Sequence, residues 1–196
     1  MYPSVEQPVK IGMNQAIQIV PCDYAIASDF LAFERMWKYL NKDLKLVMSR
    51  RVFDAQLKCP TFDPRSGISA VHKLHECKEV FALWFCQHSE RPHDERIHHS
   101  CGILSSALSL AYMLGCEEVY LVGVDFWRFR DKEYAFDILP AKVESLEPIG
   151  DGVYTAPSYE AMKHAISGAV SEWDGMPIYT IGGSALSGIF PERKFE

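Results

Sequence analysis

Glu118-Val119-Tyr120-Leu121-Val122-Gly123-Val124-Asp125 decides the fold. It is a run of strand formers that stops at a glycine and an acid. Near-continuous hydrophobicity, with no polar alternation, is the signature of a strand covered on both faces. The residues just before it have a helical period. Ile103, Ala107, Leu108, Leu110, Ala111 and Leu114 are apolar, and Gly115 is placed to end the helix. A helix joined to a strand by so short a connection is an αβ unit of a parallel sheet.

Towards the N-terminus the same alternation continues. Val9-Lys10-Ile11-Gly12-Met13-Asn14 reads as a short strand closed by a polar residue, and Asp23-Tyr24-Ala25-Ile26-Ala27-Ser28-Asp29 as a second closed by an acid. Residues 30–42 follow with Phe30, Phe33, Trp37 and Leu40 on one helical face, and Leu44 to Met48 reads as a third strand. Towards the C-terminus, Ser158 to Trp173 reads as a helix with Met162, Ala165, Ile166 and Val170 on one side. Pro177-Ile178-Tyr179-Thr180-Ile181 makes a last strand before Gly182-Gly183-Ser184. Between these blocks, about 50–100 holds Pro60, Pro64, Gly67 and Pro92 and is expected to be loops and short elements, with a lid over the site as one role for them. The apolar run Val80-Phe81-Ala82-Leu83-Trp84-Phe85 inside it is expected to be buried. With no internal repeat, low-complexity tract or linker, the expectation is a single α/β domain over 1–196. It would be Rossmann-like, with three layers and a mostly parallel sheet.

Bulk composition narrows the function classes. The 196 residues are 48% hydrophobic and 23% charged, ordinary values for a globular chain. A net charge of −6 argues against general affinity for a nucleic-acid backbone, which needs a surplus of Lys and Arg. Arg128, Arg130 and Lys132 form the densest basic patch. No apolar run approaches the roughly 18 residues that span a bilayer, and Met1-Tyr2-Pro3-Ser4-Val5-Glu6 does not look like a signal peptide. The six cysteines are scattered and several lie inside apolar runs, as in a reduced, cytoplasmic protein.

Three predicted strands end in Asn14, Asp29 and, just after Gly123, Asp125. In open parallel sheets, ligands bind outside the carboxyl ends of strands. Helix N-termini gather there too and favour anions such as phosphate, so a small nucleotide-type ligand is expected. The competing reading is that Asp29 and Asp125 only cap the segments that follow. There is no Walker loop and no GxGxxG, and Gly182-Gly183-Ser184-Ala185 reads more readily as a plain turn than as a phosphate cradle. His72-x-x-His75-x-Cys77 has no second well-spaced pair, so the histidines are expected to be exposed or hydrogen-bonded in loops, and no metal site is assigned. His98 and His99 differ, because they immediately precede the apolar helix whose N-terminus should face the ligand. Either could act as acid or base near neutral pH.

Ala107-Leu108-Ser109-Leu110-Ala111-Tyr112-Met113-Leu114-Gly115-Cys116-Glu117-Glu118-Val119-Tyr120-Leu121-Val122-Gly123-Val124-Asp125-Phe126, followed by Trp127 and by Tyr134-Ala135-Phe136-Asp137, resembles the helix, strand and following loop of one superfamily. That superfamily contains bacterial sialyltransferases that use CMP-sialic acid, flagellin-glycosylation accessory proteins and archaeal 6-hydroxymethylpterin diphosphokinases. Gly12-Met13-Asn14-Gln15 is similar to its strand ending in CNQ, whose Asn contacts the nucleotide. Ser100 to Gly102 lies near its Ser-Gly or Ser-Thr turn. The resemblance implies that Asn14, Asp29, Ser100 and Gly102 hold a nucleotide. Trp127 and Tyr134 would then meet the sugar phosphate and Asp125 would orient the loop.

Two departures accompany these matches. The superfamily opens with a strand and a GxGPS phosphate loop, whereas this chain starts at Tyr2-Pro3-Ser4-Val5. The first strand is therefore expected to be missing or to lie upstream of Met1, and a homo-oligomer in which a second copy covers the gap is one consequence. In addition, the sialyltransferases' catalytic His falls on Pro157, ahead of a matching Ser158, and proline cannot accept a proton. The implied function is a nucleotide- or nucleotide-sugar-binding, glycosyltransferase-like protein with a CMP-type donor, in which Asp137, His98 or His99 replaces the lost base. Two alternatives remain. One is a non-catalytic binding or assembly protein, with Trp127, Phe129, Tyr134 and Phe136 as its partner surface. The other is a pterin-type pyrophosphokinase, which would need Mg2+ held by Asp29, Asp125 and Asp137.

Overall fold

The computed structural model describes residues 8–86, 96–99, 102–124, 128–129, 147–150, 153–155, 157–182, 184 and 186–194. The chain divides into two compact units, Met1–Cys116 and Glu117–Glu196.

In the first unit, β1 (Ile11–Met13), β2 (Tyr24–Ala27), α1 (Phe30–Met36), β3 (Lys45–Ser49) and α2 (Arg50–Lys58) come first. A small hairpin of β4 (Phe62–Asp63) and β5 (Ile68–Ser69) follows, then α3 (Ala70–Glu76), β6 (Glu79–Cys86), β7 (Arg96–His98) and α4 (Ile103–Met113). Five strands form one sheet in the order β1-β2-β3-β6-β7, and each neighbouring pair is parallel. This is the Rossmann-like α/β architecture expected from the alternation of strands and helices.

The two faces of that sheet are covered by different helices. On one, Ala25, Ala27, Leu46 and Met48 pack with Phe33 and Met36 of α1, Val52 of α2 and Leu74 of α3. On the other, Ile26, Val47, Leu83 and Ile97 meet Ala107 and Leu110 of α4. Every residue from Leu104 to Ala111 is buried, as expected of a helix that is apolar nearly all round. The helix ends in a Schellman arrangement. Gly115 has φ +73°, its N–H donates to Tyr112 O at 3.0 Å and the Cys116 N–H to Ala111 O at 3.1 Å.

α4 packs against β7 at one edge of the sheet and against β1 and β2 at the other. Four strand spacings amount to about 19 Å, while eleven residues of helix reach about 16 Å. A helix can touch both edges only if the sheet twists and curls toward it.

Several expectations need correction. The stretch expected to be irregular carries α2, the β4–β5 hairpin, α3 and the eight-residue β6 from residue 50 to 86. Its helices are short, and each buries only two residues four apart: Val52 with Gln56, and Ala70 with Leu74. Two positions are too few to display a period in sequence. The run Val80–Phe85 is a strand of the main sheet, yet Phe81 is 37% and Trp84 54% exposed. The helix expected over 30–42 stops at Met36 and tightens into a 3-10 turn over Trp37–Tyr39. Met36 is fully buried, whereas Phe30, in the first turn, is 40% exposed.

In the second unit, β8 (Val119–Val122) is followed by an antiparallel sheet that the sequence did not foreshadow. It is made of β9 (Arg128–Phe129), β10 (Glu147–Gly150) and β11 (Val153–Thr155), with β11 in the middle. α5 (Pro157–Ala169) then leads to β12 (Ile178–Ile181), which pairs parallel with β8. Pro157 is the first residue of α5, where its missing N–H breaks no helical bond. On the other side of β12, Thr180 N–H donates to Pro191 O at 3.0 Å and Arg193 N–H to Thr180 O at 2.9 Å. The Arg193 guanidinium lies 5.5 Å from the Tyr120 ring and 4.8 Å from the Tyr179 ring, and these two rings stack across the β8–β12 pair. β8 is less covered than its composition implied: Leu121 is buried but Val122, its last residue, is 68% exposed.

Phe33 lies fully buried under the sheet while Phe30 is 40% exposed, so their truncations should separate. Phe33→Ala is expected to cost about 3–5 kcal/mol, and Phe30→Ala no more than about 1 kcal/mol. Urea unfolding of both variants checks this, and equal losses would contradict the packing.

Candidate functional site

Because the five strands of the first unit's main sheet are parallel, their carboxyl ends share one edge. The register sets Met13 beside Ile26, Ala27 beside Met48, Ser49 beside Leu83 and Cys86 beside His98. Asn14, Ser28-Asp29, Ser49-Arg50 and His98-His99 therefore all emerge at the same end of the sheet. Asn14, Asp29, His98, His99 and Gly102 are the expected site residues placed here. Ser100, Asp125, Trp127, Tyr134 and Asp137 lie outside the described residues.

Asn14 follows β1 with φ +51°, the one non-glycine left-handed residue among those described. Such a conformation costs a side chain about 1–3 kcal/mol, and asparagine is among the few residues that tolerate it. Strain of this kind concentrates at ligand sites, so the backbone marks this turn independently of residue type. Gly12 supports it from behind. A Cβ there would sit 2.7 Å from Cys22 Sγ and 3.0 Å from Ile17 Cγ2, so the turn closes only over a bare α-carbon.

Asp29 is the N-cap of α1. Its Oδ1 accepts from Ala32 N–H at 2.8 Å and its Oδ2 from Ser28 Oγ at 3.2 Å. The capping role is therefore filled, and the carboxylate also acts electrostatically on His99.

The two histidines separate sharply. His98 is only 2% exposed. His99 is half-buried, its N–H donates to Cys86 O at 2.8 Å, and its ring tilts against Phe85 at 5.2 Å. Its Nδ1 lies 2.7 Å from Ser106 Oγ on α4. Burial pushes the His99 imidazole below the ordinary histidine value, while the Asp29 carboxylate pulls it back up and His98 pushes it down. The native state thus resists protonation. The stability this contributes is complete above the ordinary histidine value and is lost as pH falls from there through the ring's lower folded value.

Gly102 begins α4 with φ +72° and ψ −156°, a region essentially reserved for glycine. Its carbonyl accepts from Ser105 Oγ at 2.8 Å. Its presence is thus explained by backbone geometry alone.

Two residues at this edge escaped sequence reading. Ser49 closes β3 and Arg50 follows it, and the strand-end rule applied to Leu44–Met48 would have found them. Ser106 carried no signal, because its role depends on a contact with His99.

The remaining histidine expectations are partly revised. His72 and His75 lie on α3, not in a loop, and His72 Nε2 is 3.2 Å from Glu76. Burial pushes the Cys77 thiol up to about 11, which leaves it protonated at neutral pH and a poor metal ligand. Among the described residues, no three of His, Cys, Asp and Glu come together as a metal-holding group. Ser184 Oγ donates to Val124 O at 2.5 Å and accepts from Leu186 N–H at 3.1 Å, so that hydroxyl is engaged with the backbone on both sides. His164 is exposed on α5. A cavity of about 430 Å³ in the second unit is lined by Val170, Trp173, Met176, Ile178 and Phe190. It opens at the amino end of β12 and is mostly apolar, with Asp174 as the one charged residue among the described residues that line it, so the strand-end edge is the better candidate on chemistry. Among the described residues no helix is long and apolar enough to cross a membrane.

Gly12→Ala should destabilise the protein by about 1–3 kcal/mol through overpacking. Adding Cys22→Ala should recover part of the loss, and strict additivity in thermal melts would contradict the contact. Asp29→Asn keeps a capping side chain but removes its charge, so His99 should titrate at still lower pH in an NMR titration. An unmoved midpoint would show that the carboxylate does not act on the ring.

No family model and no curated protein matches the chain. A solved structure of the MAf glycosyltransferase from Magnetospirillum magneticum AMB-1 aligns with it at a TM-score of 0.58 and 16% identity, covering 96% of this chain and 29% of that one. The chain thus spans less than a third of that protein's length. At this identity the likeness is one of fold: the chain shares the α/β architecture of part of a glycosyltransferase.

Proposed function

We propose that the chain is a glycosyltransferase-like protein that binds a nucleotide or nucleotide sugar, with a CMP-type donor, along the carboxyl edge of β1, β2 and β7. The observation that carries this reading is the strained Asn14 turn, which shares an edge with Asp29 and with the half-buried His99. The fold likeness to a glycosyltransferase supports the class of ligand.

In this reading Asn14, Asp29, Ser100 and Gly102 hold the nucleotide, Trp127 and Tyr134 meet the sugar phosphate, and Asp125 orients their loop. Arg50, at the end of β3, is a further cation for phosphate. Burial of His98 favours His99 over it as the base, with Asp137 as the other option. A depressed imidazole is unprotonated at neutral pH, as a base must be, and general-base assistance contributes about 10²–10⁴-fold. Pro157, which opens a helix, takes no part in proton transfer. A second reading, a non-catalytic assembly protein on the same fold, is favoured by the exposed Trp84 and Phe81 on β6, since large exposed aromatics mark interfaces.

The test is a thermal-shift panel of CMP, CDP, UDP, GDP and ATP, with and without Mg2+. A ligand at 100 times its Kd adds about 2.7 kcal/mol of stability. A cytidine nucleotide should raise Tm most. Asn14→Gly keeps the left-handed turn but lacks the amide, so it should keep its own Tm and lose that shift. A flat panel would overturn the nucleotide reading and leave the assembly reading.

A further inference from the structure

We infer that Ser106 is a positioning residue that holds neutral His99 in the Nδ1–H tautomer, so that Nε2 is its bare, proton-accepting nitrogen. The proposal rests on the strand-end site described above, but its central claim can be measured without any ligand.

The argument is a count of protons. Ser106 is fully buried, and its hydroxyl has one hydrogen to donate. Among the described residues, two groups lie within reach of Oγ: the His98 carbonyl oxygen at 3.2 Å and His99 Nδ1 at 2.7 Å. A carbonyl can only accept. If Ser106 donates to His98 O, its oxygen is free to accept from an Nδ1–H, and both hydrogen bonds form. If it donates to Nδ1, the carbonyl contact loses its proton and only one bond remains. In a buried setting each hydrogen bond contributes about 0.5–1.5 kcal/mol and an unmet polar group costs more, so the two-bond arrangement wins. It requires the proton on Nδ1 and leaves the Nε2 lone pair open.

Geometry fixes the ring as well as its tautomer. The His99 N–H is tied to Cys86 O of β6, Phe85 flanks the ring, and Ser106 is carried by the rigid, buried α4. When Nε2 takes a proton, the imidazolium keeps its Nδ1–H bond to Ser106, and the Asp29 carboxylate favours the new charge. In a glycosyl transfer the acceptor hydroxyl oxygen would bond to the donor's anomeric carbon as that carbon's bond to the phosphate oxygen breaks. The nucleotide leaves with the electron pair, and the hydroxyl proton passes to Nε2.

The test is long-range 1H–15N NMR on the full chain with 15N-labelled histidine, at a pH where His99 is neutral. The wild type should show Nδ1 protonated and Nε2 bare. Ser106→Ala should move His99 toward the Nε2–H form that histidine favours in water, and Ser106→Thr should restore the native pattern. A wild-type spectrum with the proton on Nε2 overturns the proposal without reference to any variant. An unchanged tautomer in a folded Ser106→Ala assigns it to something other than Ser106, which also overturns it. The native tautomer together with a flat nucleotide panel would leave this inference standing while removing the proposed donor.

Discussion

Burial of α4 on all sides is the constraint on which the first unit depends. A helix with that much apolar surface needs cover everywhere, and the sheet provides part of it by curling so that β7, β1 and β2 all reach the helix. The requirement also determines how the chain enters and leaves. Gly102 turns through a conformation closed to other residues, and Gly115 ends the helix by satisfying carbonyls that would otherwise be buried without partners.

The hydroxyls on α4 tie that packing to chemistry. Ser105, Ser106 and Ser109 are fully buried, where an unbonded hydroxyl would be costly. Ser105 bonds back to Gly102 O, and Ser106 to His98 O and His99. The polar atoms of an otherwise apolar helix thus fasten the segment that carries the titratable side chains. Moving α4 would move His99.

Asp29 acts locally and at longer range. Its oxygens cap α1, and its charge opposes the desolvation of His99. Desolvation is the larger effect, so the ring binds a proton less readily than a histidine in water. The strained Asn14 turn, packed over Gly12 and Cys22, lies at the same edge. Backbone strain, a carboxylate and a neutral imidazole come together because parallel strands place their ends side by side, although the residues are far apart in sequence.

Much of the fold was legible from local order. β1, β2, β3, α4, β8 and β12 each carry a clear apolar run or helical period bounded by a turn or capping residue, and those features depend only on neighbouring residues. Asn14 and Asp29 could be named because strand ends can be read from the same runs. α2 and α3 could not, since two buried residues apiece make no period, and the antiparallel β9–β10–β11 sheet has strands of two to four residues. Sequence alone thus determined the strand-and-helix alternation and the polar residues that close the strands. Tertiary structure alone decided which ends meet, which of two adjacent histidines is half-open, and what holds it. Those are contacts between residues distant in the chain, and hydrophobic patterning encodes how much of a residue is buried without encoding against what.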